Sequence, residues 1–460
     1  MQDKKIYKVG GYVRDYLINK IHKTSLDPHD IDWVAVGYTP EEFIQMGFKS
    51  VGKAFPVFLH PETGEEFALA RKEKAIGNKH TDFEFIFTPD ISIEEDLARR
   101  DFTINSIAEK GYVLGEEKHK IKIFLASANK LIDPFNGIQD IAFKIIEVTN
   151  PVHVKEDPLR ILRAHRFAAK LGFTLSKRTK LLIKEMLEDN ALSFLSKERI
   201  YKEFTAGFMY NPVKYIELLQ ETGTLQSLIP ELSLLFDTPE KEEYHSTKNT
   251  WQHTAAAIEW LLKTYPDISL KVLLGTLFHD IYKGICQKKN FERKKGEEYI
   301  RHDSKEAVEY FNTLANRLNF ETNIKNFCKN VIFTHMKAWN IADECVKTTS
   351  IYDFIEKITY KFSKDRINDT FDLIKVFKAD AISDHTTKNI EKIDAFERLL
   401  KKAIKICYSI NINEISGFMD VFGEQRSQLL KEKRCELIQL YIKPLLKELR
   451  SGNYNILKGD

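Results

Sequence analysis

The pattern of apolar and polar positions divides the chain into two regions of different secondary structure. Up to about residue 148, apolar residues occur in short runs rich in β-branched and aromatic side chains, separated by glycine, proline and asparagine. Runs of that kind predict strands. We expect strands over residues 6–9, 31–36, 57–59, 66–70 and 82–87, and helices that begin after Gly11, at Thr39-Pro40-Glu41 and within 93–100.

From about residue 151 the pattern becomes that of a helical protein. Leucine, lysine and glutamate dominate, and apolar residues recur at helical spacing over residues 160–171, 180–187 and 215–219. The polar stretch 236–244 predicts a linker, and an all-helical block follows it to about residue 385. The remainder, to residue 460, is helical and amphipathic and carries no recognisable chemistry. The predicted fold class is α+β, with a mixed-sheet head before an all-helical body.

Composition limits the function classes without choosing one. A chain of 460 residues, 43% hydrophobic, suits two to four globular domains. The net charge of +3, on a charged fraction of 30%, neither requires nor excludes a nucleic-acid partner. The sequence contains no C-x-x-C motif, signal-peptide pattern or membrane-length apolar run, so we expect a reducing, cytoplasmic location. Its five cysteines are Cys286, Cys328, Cys345, Cys407 and Cys435.

The first candidate site lies in the stretch from Tyr7 to Gly37, where a short strand ends in Gly10-Gly11 and a second strand carries Asp30 and Asp32. Because strand side chains alternate, both carboxylates are expected on one face. Adjacent carboxylates suit Mg²⁺, and glycines before a helix let backbone N–H groups approach phosphates. Each feature alone is common at solvated strand ends and turns, but their order and spacing together favour a site for a metal-bound nucleoside triphosphate.

Two later segments offer groups that suit the same site. Glu66, in a neighbouring predicted strand, is a third carboxylate for a two-metal site, or else an exposed strand glutamate. Arg99-Arg100 suits a triphosphate through forked donors, although a cation pair at a helix C-terminus is common.

The stretch Glu156-Asp157-Pro158-Leu159-Arg160 predicts a helix start with Asp157 as its cap. Asp157 and Arg160 would be neighbours at i,i+3. The carboxylate could accept from an exocyclic amine while the guanidinium donates to the adjacent ring nitrogen. Cytosine and adenine offer that order, and uracil and guanine offer the reverse, so the pair would admit CTP and ATP. The alternative is an ordinary surface ion pair. Arg163 and Arg166 follow on the same helix.

Six segments in this order resemble the class II tRNA nucleotidyltransferases, the CCA-adding enzymes: VGGYVRDYL, DIDWVAVG, EEFALARKE, RRDFTIN, EDPLRILRAHRFAAKLGF and ERIYKEF. The resemblance covers about the first 240 residues. It implies a polymerase-β-like head, helical neck, body and tail domains, and template-independent addition of CCA to tRNA from CTP and ATP. By position it implies catalytic, Mg²⁺-binding Asp30 and Asp32, a nucleotide site of Gly11, Arg14, Arg100, Asp157, Arg160, Arg163 and Arg166, and a supporting role for Glu198 and Arg199.

The helical block holds a second ordered set of polar residues: His253, His279-Asp280, Lys283, His302, His335 and Asp380. His279-Asp280 ends the apolar run 272–278, which predicts a buried helix that delivers the pair to a core site. Mixed imidazole and carboxylate ligands suit Mn, Fe, Ni or Zn, although a single histidine is more often structural.

The set resembles HD-domain phosphohydrolases. That resemblance implies a metal site of His253, His279, Asp280 and Asp380, holding Ni²⁺ or Mn²⁺, with accessory His302 and His335. Arg301-His302-Asp303 departs from the family's usual Gly-His-Glu.

A class II head with an HD domain resembles the enterobacterial-type CCA-adding enzymes. These also act as 2′,3′-cyclic phosphodiesterase, 2′-nucleotidase and phosphatase, which would permit tRNA end repair. We therefore expect tRNA, CTP and ATP as partners, no membrane partner, and a monomer or homodimer. The predicted domains are 1–148, 149–240, 241–385 and 386–460, with a Lys-rich insertion at 115–130 and extra length after residue 385. A poly(A) polymerase and a non-catalytic tRNA-binding protein are the alternatives.

Overall fold

A computed structural model describes residues 3–28, 31–51, 57–75, 83–86, 88–117, 120–240, 247–293, 299–343, 347–359, 366–383 and 390–455. The chain divides into two compact units, Met1–Leu228 and Ile229–Asp460. The four-domain division, with boundaries at 148, 240 and 385, remains a prediction.

A seven-stranded mixed sheet forms the centre of the first unit, in the order β3-β4-β5-β2-β1-β8-β9. Only β2 and β5 pair in parallel among its neighbouring strands. Two short sheets, β6-β7 and β10-β11, accompany it. The strands are β1 Lys5–Val9, β2 Asp32–Val36, β3 Lys49–Val51, β4 Val57–Leu59, β5 Glu66–Leu69, β6 Lys72–Ala75, β7 Phe83–Ile86, β8 Ala108–Glu117, β9 Lys120–Ile132, β10 Ile145–Ile146 and β11 Thr174–Leu175.

Several helices of this unit begin at residues whose side chains cap the helix N-terminus. Thr39 and Ser92 each form a capping box, at the start of α2 and α3 respectively. Helix α3 ends at Ala98, two residues before the predicted end. The helices are α1 Gly11–His22, α2 Pro40–Gln45, α3 Ile93–Ala98, α4 Gly137–Phe143, α5 Pro151–Glu156, α6 Leu159–Leu171, α7 Lys177–Glu188, α8 Lys197–Tyr210, α9 Pro212–Glu221 and α10 Thr224–Leu228, with 3₁₀ turns at Thr103–Asn105 and Ala191–Phe194.

Alternation along β2 assigns its residues to two cores. Trp33 and Ala35 belong to the cluster that contains Phe43 and Phe67, whereas Val34 and Val36 belong to the one that contains Leu97. Since side chains two residues apart share a face, Asp32 lies on the face of Val34 and opposite that of Trp33. The predicted alternation is therefore confirmed for Asp32, while Asp30 lies outside the described residues.

The segment 115–130, predicted as a Lys-rich, exposed insertion, has strand structure in its described residues, and its status as an insertion stays a prediction. Strand β8 pairs with β9 from Ala108↔Ile132 to Glu117↔Lys120, so these residues form an edge hairpin of the main sheet. The lysines hid the strand pattern, because an edge strand needs an apolar side chain only on its covered face.

The second unit is predominantly helical in its described part, with an isolated β-bridge between Pro239 and Asn249. Its helices are α11 Pro230–Ser233, α12 Thr250–Thr264, α13 Leu270–Phe278, α14 Lys283–Glu292, α15 Lys305–Arg317, α16 Thr322–Asp343, α17 Thr348–Ile358, α18 Arg366–Ser383, α19 Ile390–Tyr408, α20 Glu424–Leu437 and α21 Lys443–Arg450, with 3₁₀ turns at Leu234–Phe236, Ile412–Glu414 and Phe418–Asp420 and a π-helical segment at Ile438–Ile442.

Helix α13 is the buried centre of this unit, as its apolar run predicted. Every residue from Val272 to Phe278 is buried. Gly275 allows close helix packing, because a Cβ there would lie 2.6 Å from the Phe327 ring. The helix thus delivers His279 and Asp280, which follow it, to a buried position.

The predicted linker at 236–244 is wrong for the residues that the structure describes, 236–240. The Phe236 ring stacks on Trp251 at 4.9 Å, Pro239 bridges to Asn249, and Glu240 is buried. Acidic residues made this stretch resemble a linker, but Glu240 has buried hydrogen-bond partners.

The C-terminal segment is helical, as expected, and packs within the second unit. Trp339 and Phe396 meet at 5.4 Å, and Arg450 donates to the Ile341 carbonyl at 2.8 Å. Within the described residues, no helix is both long enough and apolar enough to cross a membrane.

Candidate active sites

Two carboxylates meet across the parallel pair of strands in the first unit. Asp32 begins β2, and the register places Glu66 directly opposite it on β5. Both side chains are exposed and line one cavity of about 690 Å³. The structure thus brings Glu66 beside Asp32 as predicted, and these hard oxygens fit Mg²⁺.

The cavity is strongly cationic. Nine arginine or lysine side chains line it, against four carboxylates. That excess suits a polyanion such as a triphosphate. The cations are Arg14, Arg71, Arg99, Arg100, Arg160, Arg163, Arg166, Lys170 and Arg199, and the carboxylates are Asp32, Glu66, Asp101 and Asp157.

Gly10 joins β1 to helix α1 at the cavity wall. Its φ of +70° favours glycine, and a Cβ there would lie 3.2 Å from an Arg100 guanidinium nitrogen and 3.4 Å from Asp32 Oδ2. Gly11 and Arg14, the first turn of α1, line the same wall. The predicted glycine turn therefore lies between the carboxylate strand and an arginine of the site.

Arg14 is fixed by a network that reaches Arg163. Its guanidinium donates to Asp15 at 2.7 Å and to Asn105 at 2.8 Å. Asn105 in turn donates to Asp101 at 3.0 Å, and Asp101 accepts from Arg163 Nε at 2.8 Å. Arginines held in this way are preorganised for an anionic ligand.

Three guanidinium groups surround one aromatic ring. Arg14, Arg163 and Arg166 lie 5.0, 5.4 and 4.5 Å from the centroid of Phe167. Arg166 is also held by Glu203, at 2.5 Å. Phe167 therefore brings cations from helices α1 and α6 together.

Asp157 and Arg160 line the cavity but do not pair with each other. Asp157 accepts from Arg199 at 2.8 Å and from the Leu159 N–H at 3.1 Å, while Arg160 donates to the His153 carbonyl at 2.5 Å. Asp157 thus caps α6 as predicted. The alternative of an i,i+3 ion pair is wrong, since both groups have other partners.

Arg99 and Arg100 follow the end of α3 and share Asp96, which is fully buried. Arg99 donates to it at 2.5 Å and Arg100 at 3.3 Å. Burial alone would raise the pKa of Asp96, but Arg99 and Arg100 outweigh it and lower that pKa. Both arginines are therefore anchored at the cavity.

Several residues of the cavity that act through other residues were not predicted from the sequence. Asp101 and Asn105 connect arginines that are far apart in the chain, and Phe167 lies between three of them. Arg71 also lines the cavity. Asp101 and Asn105 both lie in the RRDFTIN segment, but a function was predicted only for its two arginines.

The second unit gathers all six predicted histidine and aspartate residues in two adjoining triads. One consists of His253, His279 and Asp380, and the other of Asp280, His302 and His335. Asp280 was predicted as a ligand of the same metal as His279. The structure instead groups it with His302 and His335, which were predicted as accessory.

The distances between ring nitrogens and carboxylate oxygens fit shared metal ions. His253 and His279 Nε2 lie 2.9 and 3.5 Å from Asp380 Oδ1, and His302 and His335 Nε2 lie 3.4 and 3.6 Å from Asp280 Oδ1. Two ligands about 2.1 Å from one tetrahedral ion are separated by about 3.4 Å. His279 Nε2 and Asp280 Oδ1 are buried atoms without a hydrogen-bond partner in the described part of the chain. These unpartnered atoms and the mixed ligands fit a transition metal.

Contacts at Nδ1 orient His253, His279 and His335 so that their Nε2 atoms face the carboxylates of Asp380 and Asp280. His279 Nδ1 donates to the Thr276 carbonyl at 2.6 Å, and His335 Nδ1 contacts the Val331 and Ile332 carbonyls at 3.1 Å. Ser383 Oγ donates to the Asp380 carbonyl and lies 3.1 Å from His253 Nδ1. Such partners are typical of metal-binding histidines.

The charges of the cluster also suit a cation. Burial alone raises the pKa of Asp280, but Lys283 and His279 outweigh it, so the pKa lies well below its usual value. Burial lowers the pKa of His302 to about 4. His279 differs, since Asp280 and Asp380 outweigh burial and raise its pKa well above the usual value. The two carboxylates that raise this pKa would favour a metal cation beside His279 in the same way.

Comparison with known families places the chain among nucleotidyltransferases. Residues 6–147 match the family described as "Poly A polymerase head domain", and 172–235 match "Probable RNA and SrmB- binding site of polymerase A". A multifunctional CCA protein of Methylobacillus flagellatus is 35% identical over 77% of this chain and 78% of its own length. Another, of Actinobacillus pleuropneumoniae, is 36% identical over 74% of this chain and 77% of its own length.

A multifunctional CCA protein of Acinetobacter baumannii is 30% identical over 94% of this chain and 96% of its own length. That alignment leaves too little of either chain unmatched for the segment after residue 385 to be an addition. The expected extra length there is therefore wrong.

Solved structures support the fold. An apo CCA-adding enzyme aligns with a TM-score of 0.59 at 19% identity, over 98% of this chain and 90% of the other. A Thermotoga maritima CCA-adding enzyme complexed with tRNA aligns with a TM-score of 0.59 at 18% identity, over 98% and 91%.

Proposed function

We propose a function for a chain that belongs to the multifunctional CCA protein family: it adds C, C and A to tRNA 3′ ends from CTP and ATP, without a template. The observation that carries the proposal is the position of Asp32 opposite Glu66 in a cavity with nine cationic side chains. Carboxylates beside an excess of arginine suit phosphoryl transfer, which depends on positioning and charge neutralisation.

The residues of the cavity would divide the work as follows. Asp32 and Glu66, with Asp30, would hold Mg²⁺, which supplies charge neutralisation and lowers the pKa of a coordinated hydroxyl. Arg14, Arg163 and Arg166, together with Gly11 and Arg100, would hold the triphosphate. The network through Asn105 and Asp101 would keep the first two arginines in place before the nucleotide binds.

Asp157 and Arg160 would choose the base. Each carries a hydrogen bond elsewhere, but Asp157 has further lone pairs and Arg160 further N–H groups. With Arg199 holding its carboxylate, Asp157 would accept from the cytosine or adenine amine, and Arg160 would donate to the ring nitrogen. UTP and GTP would leave both groups unpaired, at a cost of about 1–3 kcal/mol per group.

The test of the head proposal uses tRNAs that end before CCA, after C and after CC. We expect labelled CTP and ATP to be added in order, with extension stopping after A. Asp157→Ala should lower the preference for CTP over UTP by about tenfold or more, while Asp189→Ala, an exposed acidic control on the first unit, should not.

Two alternatives give different results in the same assay. A poly(A) polymerase would add runs of A to many RNAs without CTP. A non-catalytic tRNA-binding protein would extend none of these tRNAs. The first result would move the function to RNA tailing, and the second would leave the metal cluster as the candidate catalytic site.

A second proposed function belongs to the metal cluster of the second unit, and the two triads, each with two buried members, favour it. The triads would hold transition-metal ions, Ni²⁺ or Mn²⁺, and a metal so held supplies an activated water for attack on phosphorus. Lys283, 3.3 Å from Asp280 Oδ2, is placed to stabilise negative charge at the site. The substrates would be 2′,3′-cyclic phosphates, 2′-nucleotides and phosphomonoesters at damaged tRNA ends.

Hydrolysis of 2′,3′-cyclic AMP by the purified protein, loaded in turn with Ni²⁺, Mn²⁺ and Mg²⁺, tests this second function. We expect activity with the first two ions and its loss in Asp380→Ala. Absence of hydrolysis with every ion would refute the hydrolase. The proposed setting is cytoplasmic, as a monomer or homodimer without a membrane partner, and a sizing column coupled to light scattering decides the oligomeric state.

A further inference from the structure

A second cavity, of about 540 Å³, lies in the second unit, between helices α15, α16 and α17. It contains neither triad, and we call it the α15–α17 groove. Its cations are Lys305, Lys329 and Lys357, one from each helix. A cavity of this size holds a group as large as a nucleotide.

The three lysines of the groove carry an excess of positive charge. Within the described part of the chain, none of them forms an ion pair; Lys329 contacts only the Asn312 side-chain oxygen, at 3.5 Å. The groove also contains Glu356, but Arg434 pairs with that carboxylate. Glu309 is exposed and contacts Asn312. The groove therefore lacks enough negative charge to balance its lysines.

The remaining lining offers an aromatic ring and an unpartnered donor. Phe333 is half-buried; the Lys337 ammonium lies 3.2 Å from the centroid of its ring and the Lys357 ammonium 5.7 Å, so cations already flank the ring. Asn330 Nδ2 is buried at the groove without a hydrogen-bond partner among the described residues. Lysines beside an aromatic ring suit the phosphates and bases of single-stranded nucleic acid, and the amide suits an acceptor on a base or sugar.

The groove shares its helices with the metal cluster. Helix α16 carries Phe333 and, on a different face two residues later, His335 of the second triad, and Lys305 follows His302 by three residues. We infer that the α15–α17 groove binds a single-stranded segment of the RNA whose terminal phosphate the metal cluster processes. The choice of RNA as the ligand rests on the proposed hydrolase function.

Chemical footprinting of lysines on the full-length protein tests the groove directly. The probe is a single-stranded uridine dodecamer that ends in a 2′,3′-cyclic phosphate, and acetylation is read by mass spectrometry. We expect acetylation of Lys305, Lys329 and Lys357 to fall severalfold when RNA binds, and that of exposed Lys405 to stay unchanged. Unchanged acetylation of all three at saturating RNA overturns the inference. Equal protection by polyglutamate also overturns it, in favour of an acidic protein partner.

A kinetic comparison separates the groove from the chemistry. The variant K305Q/K329Q/K357Q is matched by K263Q/K288Q/K405Q, which removes the same charge from exposed positions on the same unit. For the groove variant we expect the KM for the cyclic-phosphate dodecamer to rise about tenfold, and the slope of log KM against log salt to fall by about 2, at about 0.7 per lost phosphate contact. Its kcat/KM for 2′,3′-cyclic AMP should equal that of the control variant.

The two experiments can refute the hydrolase proposal and the groove inference independently of each other. If the protein hydrolyses neither substrate while RNA still protects the three lysines, the hydrolase proposal falls and the groove stands. If hydrolysis is normal, and neither lysine protection nor the KM for the dodecamer responds as expected, the groove inference alone is wrong.

Discussion

The two candidate sites differ in the exposure of their carboxylates. In the head cavity Asp32 and Glu66 are exposed. Arg14 and Arg163 are hydrogen-bonded there, although the buried Arg100 Nε has no hydrogen-bond partner among the described residues. In the metal cluster His279 is 0% exposed and Asp280 3%, and each has a buried atom without a hydrogen-bond partner. Carboxylates that are hydrated in the absence of metal need no resident cation, so the head site can bind its metal together with the nucleotide. A buried one pays a desolvation cost that a resident metal offsets. We therefore expect metal binding to support catalysis in the head, and both catalysis and stability in the second unit.

Removing the central carboxylate of the head gives the largest expected effect. Asp32→Ala should lower CCA addition by about 10³-fold, because it removes a ligand of the Mg²⁺ that would neutralise charge at the reacting phosphate. The melting temperature should stay near that of the wild type, since Asp32 is exposed. Single-turnover addition of CMP and thermal unfolding measure the two effects, with Asp189→Ala as control. A large fall in melting temperature would contradict the expectation that Asp32 serves catalysis and not stability.

His279→Gln in the buried cluster should combine both losses. Hydrolysis of 2′,3′-cyclic AMP should fall by about 100-fold, since one ligand of the site is lost. A chelator should destabilise the metal-loaded wild type by about 2.7 kcal/mol where free metal had been present at about 100 times its Kd, and should destabilise the variant less. Metal content by mass spectrometry, chelator-dependent unfolding and retained CCA addition check this. Equal chelator sensitivity of both proteins would contradict it.

Asp101→Asn tests, through the pH dependence of stability, how much a paired buried carboxylate stabilises the head. Burial raises the pKa of Asp101, but Arg163 and Asn105 outweigh it and lower that pKa. Because the pKa is lower in the folded state, the unfolded chain binds more protons than the folded chain at pH values between the two pKa values. The ion pair therefore stabilises the fold above the unfolded pKa of about 3.9 and loses its effect as pH falls through the lower folded value.

At pH 7 the variant should lose about 2 kcal/mol, below the full cost of a broken buried pair because Arg163 is 33% exposed. The difference from wild type should shrink as the pH falls below about 4. Urea unfolding at several pH values measures it. A difference that is the same at pH 3 and pH 7 would show that the loss is one of packing and not of charge.

The sequence predicted those parts of the site that follow from local spacing. Strand alternation placed Asp32 opposite Trp33, and the cap at Asp157 and the buried run before His279 followed from their neighbours in the chain. The sequence did not predict contacts that depend on tertiary structure. The partner of Asp157 is Arg199, from a different helix, and residues 108–132 pair as strands although lysines interrupt them. No local pattern encodes which distant residues meet.

The smallest expected effect concerns Glu240, in the stretch that sequence alone assigned to a linker. Its side chain is 2% exposed and accepts from Lys283 at 2.7 Å and Thr250 at 2.8 Å, so it positions Lys283 beside Asp280. Glu240→Gln keeps an acceptor but removes the charge, so Lys283 should shift towards Asp280. We expect kcat for 2′,3′-cyclic AMP hydrolysis to fall about fivefold, or about 1 kcal/mol, with KM, metal content and CCA addition unchanged. Exposed Glu259→Gln on α12 is the matched control. If metal content fell along with kcat, Glu240 would support the whole cluster and not Lys283 alone.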